Sequence, residues 1–210
     1  MKRIFLASLM IIAAGLSAHA QPIDLKRGVG VHEWLNWSPL ASNGSYAWPP
    51  YRTYAEWLSS ERPLADWPPG DQFVRIKAMG FDFVRLTVDP GPLLANTGTR
   101  RQEALDILEA AVRRVTASGL KVVFNLHLVS QVPAYSETII EGGATSSGVT
   151  LYRAMVEDVA RMLVDVGTGD VALEPFNEPG YYPCDATGLP PLGDPFGKLV
   201  HARSSGHRWR

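Results

Sequence analysis

Four short runs of β-forming residues, separated by longer stretches of helical period, constrain the fold of this chain more than any other feature. The runs are Gly28 to Val31, Phe81 to Val88, Lys121 to Leu128 and Val171 to Phe176. Between the second and third, Arg101 to Ser118 carries Ala104, Leu105, Leu108, Ala111, Val112 and Val115 at helical spacing, and Gly119 follows as a C-terminal cap. Between the third and fourth, Leu151, Met155, Val156, Val159, Leu163 and Val166 form a second stripe that ends at Gly167. A shorter helix is expected from Asp71 to Met79, closed by Gly80. Strand and helix in alternation predict parallel βα units and an α/β fold. Val122-Val123-Phe124 and Val171-Ala172-Leu173 are continuously apolar, as strands covered on both faces should be.

The first twenty residues read as an export signal. Lys2 and Arg3 precede an apolar stretch from Ile4 to Leu16, and Ala18-His19-Ala20 supplies a small-x-small cleavage site. No later stretch approaches the roughly 18 apolar residues of a spanning helix. The mature chain is therefore expected to be secreted or periplasmic, with no membrane partner once the signal is cleaved. Without those twenty residues, 18 Lys+Arg face 21 Asp+Glu, a net charge of −3. That balance argues against nucleic acid as the partner, because binding by counterion release needs a basic face. Cys184 is the one cysteine, so an intrachain disulfide is excluded and stability has to come from packing.

The densest chemistry lies at the end of the fourth run, in Glu174-Pro175-Phe176-Asn177-Glu178-Pro179. In parallel α/β folds the C-terminal strand ends carry the active site. A carboxylic acid there can protonate a leaving oxygen, and an adjacent amide can hydrogen-bond a sugar hydroxyl near the reacting carbon. The bland alternative is a turn bounded by two prolines. His32-Glu33-Trp34-Leu35-Asn36 nearly spells a zinc-protease helix, but Asn36 stands where the second histidine is needed, so no metal site is expected. Gly28-Val29-Gly30 lacks the third glycine of a dinucleotide loop, and no cofactor is expected.

Asn177-Glu178-Pro179 after an apolar strand resembles the signature of the family 5 glycoside hydrolases, the cellulase family. Arg27-Gly28-Val29-Gly30, Phe83-Val84-Arg85-Leu86 and Val123-Phe124-Asn125-Leu126-His127 resemble that family's first strand, its arginine-bearing strand and its first histidine-bearing strand. The resemblance implies a (β/α)8 TIM barrel, of which residues 21 to 185 would form about the first four βα units. It implies a retaining hydrolase acting on a β-linked polysaccharide or oligosaccharide. Glu178 would be the general acid/base, Asn177 the donor to the sugar 2-hydroxyl, Arg85 the guanidinium that orients and ionises the nucleophile, and His127 a contact in the reacting subsite. Asn125 stands where the family often has aspartate. Read from the residues alone, Arg85 could instead be a snorkelling surface arginine and His127 a satisfied core histidine.

Five of the six tryptophans, Trp34, Trp37, Trp48, Trp57 and Trp67, lie in a proline-rich insertion before the Asp71 helix. Indole packs flat against the C–H faces of pyranose rings, so the cluster fits an aromatic platform as well as a loop held down by buried rings. Trp34 and Trp37, with His32, are the candidates for sugar contact, and Trp57 and Trp67 for packing. A non-catalytic carbohydrate-binding protein is the rival reading.

A retaining glycosidase needs a second carboxylate about 5 to 5.5 Å from the first. Glu174 lies four residues from Glu178, about 13 Å along an extended strand, and reads as a supporting carboxylate paired with Arg85. Asp89, Asp185 and Glu33 sit near other strand ends without a matching motif. A barrel of this type takes about 250 residues. Residues 186–210 have no period and four Lys+Arg against one Asp, whereas residues 21–185 have 14 against 20. That segment is expected to be an unrelated or disordered tail, and the chain to show little or no hydrolysis.

Overall fold

A computed structural model describes residues 23–140, 145–167 and 169–177. The expected export signal, Glu178, Cys184, Asp185 and the segment 186–210 lie outside the described residues. In chain order the described strands and α-helices are strand β1 (Gly28–Leu35), helices α1 (Tyr54–Glu61) and α2 (Gln72–Ala78), strand β2 (Phe83–Val88), helices α3 (Gly91–Ala95) and α4 (Gly98–Thr116), strand β3 (Lys121–Leu126), helix α5 (Ser147–Val166) and strand β4 (Val171–Glu174). The strands form one parallel sheet in the order β1-β2-β3-β4, so the α/β expectation holds as a four-stranded parallel sheet with connecting helices. No described helix is long and apolar enough to cross a membrane.

The helical stripes do what their period dictates. Ala104, Leu105, Leu108, Ala111, Val112 and Val115 are all buried on α4. On α5, Met155, Val156, Val159 and Leu163 are buried, joined by Val149, Tyr152 and Met162. Ser146 caps α5 by accepting from the Val149 amide, and Asp71 caps α2 by accepting from Phe73. Gly167 caps α5 as expected, whereas α4 is capped by Ala117 and Gly119 follows two residues later, both glycines at positive φ. Helix α4 begins at Gly98 and ends at Thr116, two to three residues ahead of the stripe used to expect it.

The sheet has two unlike faces. Val84, Leu86 and Val88 of β2 and Val122, Phe124 and Leu126 of β3 alternate onto one face and are fully buried. The strand partners Gly30, Arg85, Val123 and Ala172 lie side by side on the other face, and Thr87, Asn125 and Glu174 form the next row toward the C-terminal ends. Val123 and Arg85 are only half-buried, so the β3 run is fully covered on one face alone, and Val171, Ala172 and Leu173 of the β4 run are all half-buried, against the expectation of two covered faces. At the start of β1, a Cβ on Gly28 would fall 2.1 Å from the Phe83 ring, which explains a glycine in that row.

The proline-rich insertion holds a helix that the periodicity did not announce. Thr53 and Glu56 form a capping box at the start of α1, the Thr53 hydroxyl accepting from the Glu56 amide while the Glu56 carboxylate accepts from the Thr53 amide. Leu58 of α1 is buried, and Trp57 packs against the core.

Candidate active site at the strand ends

Backbone hydrogen bonds carry the sheet past its last strand residues and thereby fix the residues that follow. The Asp89 amide donates to Leu35 O at 3.0 Å, His127 to Val88 O at 2.8 Å and Asn177 to Leu126 O at 3.0 Å. The segment after β4 is pinned from behind: the Tyr152 hydroxyl donates to Pro175 O at 2.7 Å, and Phe176, buried, meets the Tyr152 ring edge to face. His127 and Asn177 are thus set at the tips of neighbouring strands by the sheet itself.

Arg85 joins the two sides of this row. It starts from β2, crosses β3 and reaches β4, where Nε donates to Glu174 Oε2 at 2.7 Å and Nη2 to Glu174 Oε1 at 2.6 Å. Nη2 also donates to Asn177 Oδ1 at 2.8 Å. Asn177 Nδ2 lies 3.5 Å from His127 Nε2, and the His127 and His32 rings meet edge to face at 5.7 Å. Four of the residues singled out in the sequence, Arg85, His127, Asn177 and His32, are therefore together, and Glu174 pairs with Arg85 as expected. Glu174 is half-buried, with its side chain 32% exposed. The guanidinium that the resemblance assigns to a nucleophile holds Glu174 and Asn177 here.

Asn125 lies between Thr87 and Glu174, on the strand that Arg85 crosses. It is fully buried, and neither its Oδ1 nor its Nδ2 has a partner among the described residues. The sequence marked it only as a departure from aspartate.

No family model, no curated protein and no solved structure matches the chain.

Trp34 is a correction. It is 3% exposed, its indole N–H donates to Arg52 O, and its ring stacks on Trp57 and meets Tyr54 and Phe73. It is a core residue and offers no face to a sugar. The cause is a break in strand phase: the β1 register shifts between Val31 and Leu35, and Glu33 adopts φ 63°. Simple alternation would have put Trp34 beside His32, but His32 stays exposed while Trp34 turns into the core. Trp37 is 44% exposed and also has a left-handed backbone, φ 52°. Trp48 and Trp67 donate to Glu103 and to Leu58 O, so both are tied into the structure, and Trp57 packs as expected.

Asp89, at the tip of β2, is a buried carboxylate with a structural task. Its Oδ2 accepts from the Ser38 amide and its Oδ1 from the Gly91 amide, while its backbone carbonyl accepts from the Tyr51 hydroxyl. Burial pushes its pKa up, against the pull of the Gly91 and Ser38 amides. A Cβ on Gly91 would lie 1.7 Å from the Tyr46 hydroxyl, so only glycine fits beneath that ring. Asp89 therefore clasps the insertion to the sheet and does not face the Arg85 network as a second catalytic carboxylate. Glu33 is exposed, and its carbonyl accepts from Arg52. No group of three or more His, Cys, Asp or Glu among the described residues could hold a metal ion.

Proposed function

We propose that the strand tips carry the acid/base side of a retaining glycoside hydrolase site acting on a β-linked polysaccharide, on the first four βα units of a (β/α)8 barrel. The observation that carries the reading is the Arg85 bridge, which gathers Glu174, Asn177 and His127 at the C-terminal ends of parallel strands. Glu178, the next residue after Asn177, is the proton donor to the departing glycosidic oxygen. Asn177 hydrogen-bonds the 2-hydroxyl of the sugar, and His127 contacts the same ring. The fixed positive charge of Arg85 favours ionised carboxylates around it. Export by the segment at residues 1–20 would bring the chain to extracellular or periplasmic polysaccharide.

Glu174, with both oxygens on Arg85, is a supporting group and not the nucleophile. Binding rather than turnover is accordingly the deciding measurement. Calorimetric titration of the purified chain with cello- and manno-oligosaccharides is expected to show binding that Arg85→Ala abolishes. Flat titrations of the unaltered chain with both series would overturn the proposal. Reducing-sugar release from a soluble β-glucan is expected to be slight. A substantial release that Glu178→Gln removes would correct that expectation and establish Glu178 as the acid.

The exposed Trp37 favours a second reading, a carbohydrate-binding surface without catalysis. It predicts that sugar binding survives changes at Glu178 and Arg85 and is lost with Trp37.

A further inference from the structure

A side-chain amide can face a ligand in two ways, and which way it faces decides whether it donates or accepts. Asn177 is held in one of them. Arg85 Nη2 is a donor with no acceptor capacity, and it lies 2.8 Å from Asn177 Oδ1, so the amide oxygen is committed to the guanidinium. Nδ2 is then turned away from Arg85, toward His127. A group bound beside Asn177 meets a donor, which suits a hydroxyl oxygen or an anion.

The arginine can impose this choice only if its own plane is fixed. Two parallel bonds to one carboxylate, from Nε and Nη2 to the two oxygens of Glu174, fix it. A single contact would leave the guanidinium to rotate about its stem, and with 37% of the arginine side chain exposed, water would compete for it. The clamp spans two strands: Arg85 lies level with Val123 and Ala172, and Glu174 stands two residues further along β4, on the row of Thr87 and Asn125. Glu174 is thus linked to Asn177 through Arg85.

We propose that Glu174 is a positioning residue, which locks the Arg85 guanidinium so that Asn177 presents its N–H to the ligand. The proposal rests on the saccharide reading above for the identity of that ligand. Its substitution separates charge and geometry from size. Glutamine has the shape of glutamate but only one acceptor, and its Nε2 would face an N–H of Arg85, so the paired bonds are broken without loss of volume.

The experiment has two arms on the full chain. In the first, nitrogen-15 NMR without ligand follows the Arg85 Nε–H and the Asn177 side-chain amide. The unaltered chain is expected to show a slowly exchanging Arg85 Nε–H, and Glu174→Gln to make it exchange rapidly and to shift the Asn177 amide pair. An Arg85 Nε–H that exchanges equally in both chains, or an Asn177 pair that does not move, would overturn the clamp. In the second arm, cello-oligosaccharide affinity is measured for Glu174→Gln, Asn177→Ala and the double variant. Glu174→Gln alone is expected to weaken binding about tenfold or more, the scale of a lost charge-assisted hydrogen bond, and to add almost nothing once Asn177 is alanine. A purely structural role would weaken binding equally in both backgrounds, and that result would sink the proposal. If the unaltered chain binds neither oligosaccharide series, the glycosidase reading fails while the NMR arm still decides the clamp.

Discussion

On the helix side of the sheet, Val84, Leu86, Val88, Val122, Phe124 and Leu126 are fully covered, whereas on the opposite side Arg85 and Glu174 keep 37% and 32% of their side chains exposed. The covered side is uniform and apolar, and each residue adds roughly 1.5–3 kcal/mol by leaving water. The other side mixes Val123 and Ala172 with the polar residues Arg85, Thr87, Asn125 and Glu174, and its charged pair, a third in water, adds little to stability, up to about 1 kcal/mol. One face holds the fold, and the other is left to position donors and acceptors. Adjacent residues of a single strand, such as Leu86 and Arg85, therefore answer to different demands. The largest test of that contrast is Phe124→Ala, which removes a fully buried ring from the centre of the covered face. It is expected to lower the unfolding free energy by about 3–5 kcal/mol in urea titration, whereas Arg85→Ala changes it by about 1 kcal/mol or less. Similar losses for the two would mean that the polar row also carries the fold.

The contrast also marks what could be read from residues alone. The apolar stripes of α4 and α5 obey a 3.6-residue period, and a period survives translation into structure because burial enforces it. The Arg85, His127 and Asn177 grouping was legible through the resemblance, and it holds because parallel strands place equivalent ends side by side. Trp34 was not legible, because the left-handed Glu33 and the register shift between Val31 and Leu35 turn it into the core, while Leu35 keeps the covered face that alternation from Val31 gives it. Helix α1 had a signal that went unused, Thr53-x-x-Glu56, in a stretch whose prolines and tryptophans masked the short apolar period. The burial of Asp89 needed the insertion's path, since its partners Ser38 and Tyr51 come from that loop.

Asp89 sharpens the comparison from the side of charge, for it is a carboxylate at a strand tip, like Glu174, but sealed from water. Desolvation raises its pKa above the ordinary aspartate value, so the folded chain holds that proton more tightly than the unfolded one. The folded state is therefore favoured below the ordinary aspartate range and loses stability as pH rises from there through the raised folded value. Asn at this position has one acceptor for the two amides of Ser38 and Gly91, which leaves a buried N–H unsatisfied at a cost of about 1–3 kcal/mol. Urea titrations of Asp89→Asn and the unaltered chain should differ most in acid and converge as pH rises. A gap that widens with pH would show that the ionised carboxylate is stabilised here rather than tolerated.

The smallest expected effect concerns Trp37, where the insertion meets solvent. Its ring is 44% exposed, yet its backbone sits at φ 52°, a region that costs a bulky L-residue about 1–2 kcal/mol. Replacing it by alanine keeps that strain and discards the ring, and replacing it by glycine discards both. Glycine is thus expected to be about 1 kcal/mol more stable than alanine at this position, the reverse of their order in a helix. If the exposed indole is held there to meet a pyranose face, both variants should lose oligosaccharide affinity alike, although their midpoints in urea differ. Equal stability of the two variants would mean that the left-handed backbone carries no strain. Affinity retained in both would remove Trp37 from the sugar surface and leave the Arg85 row to bind alone.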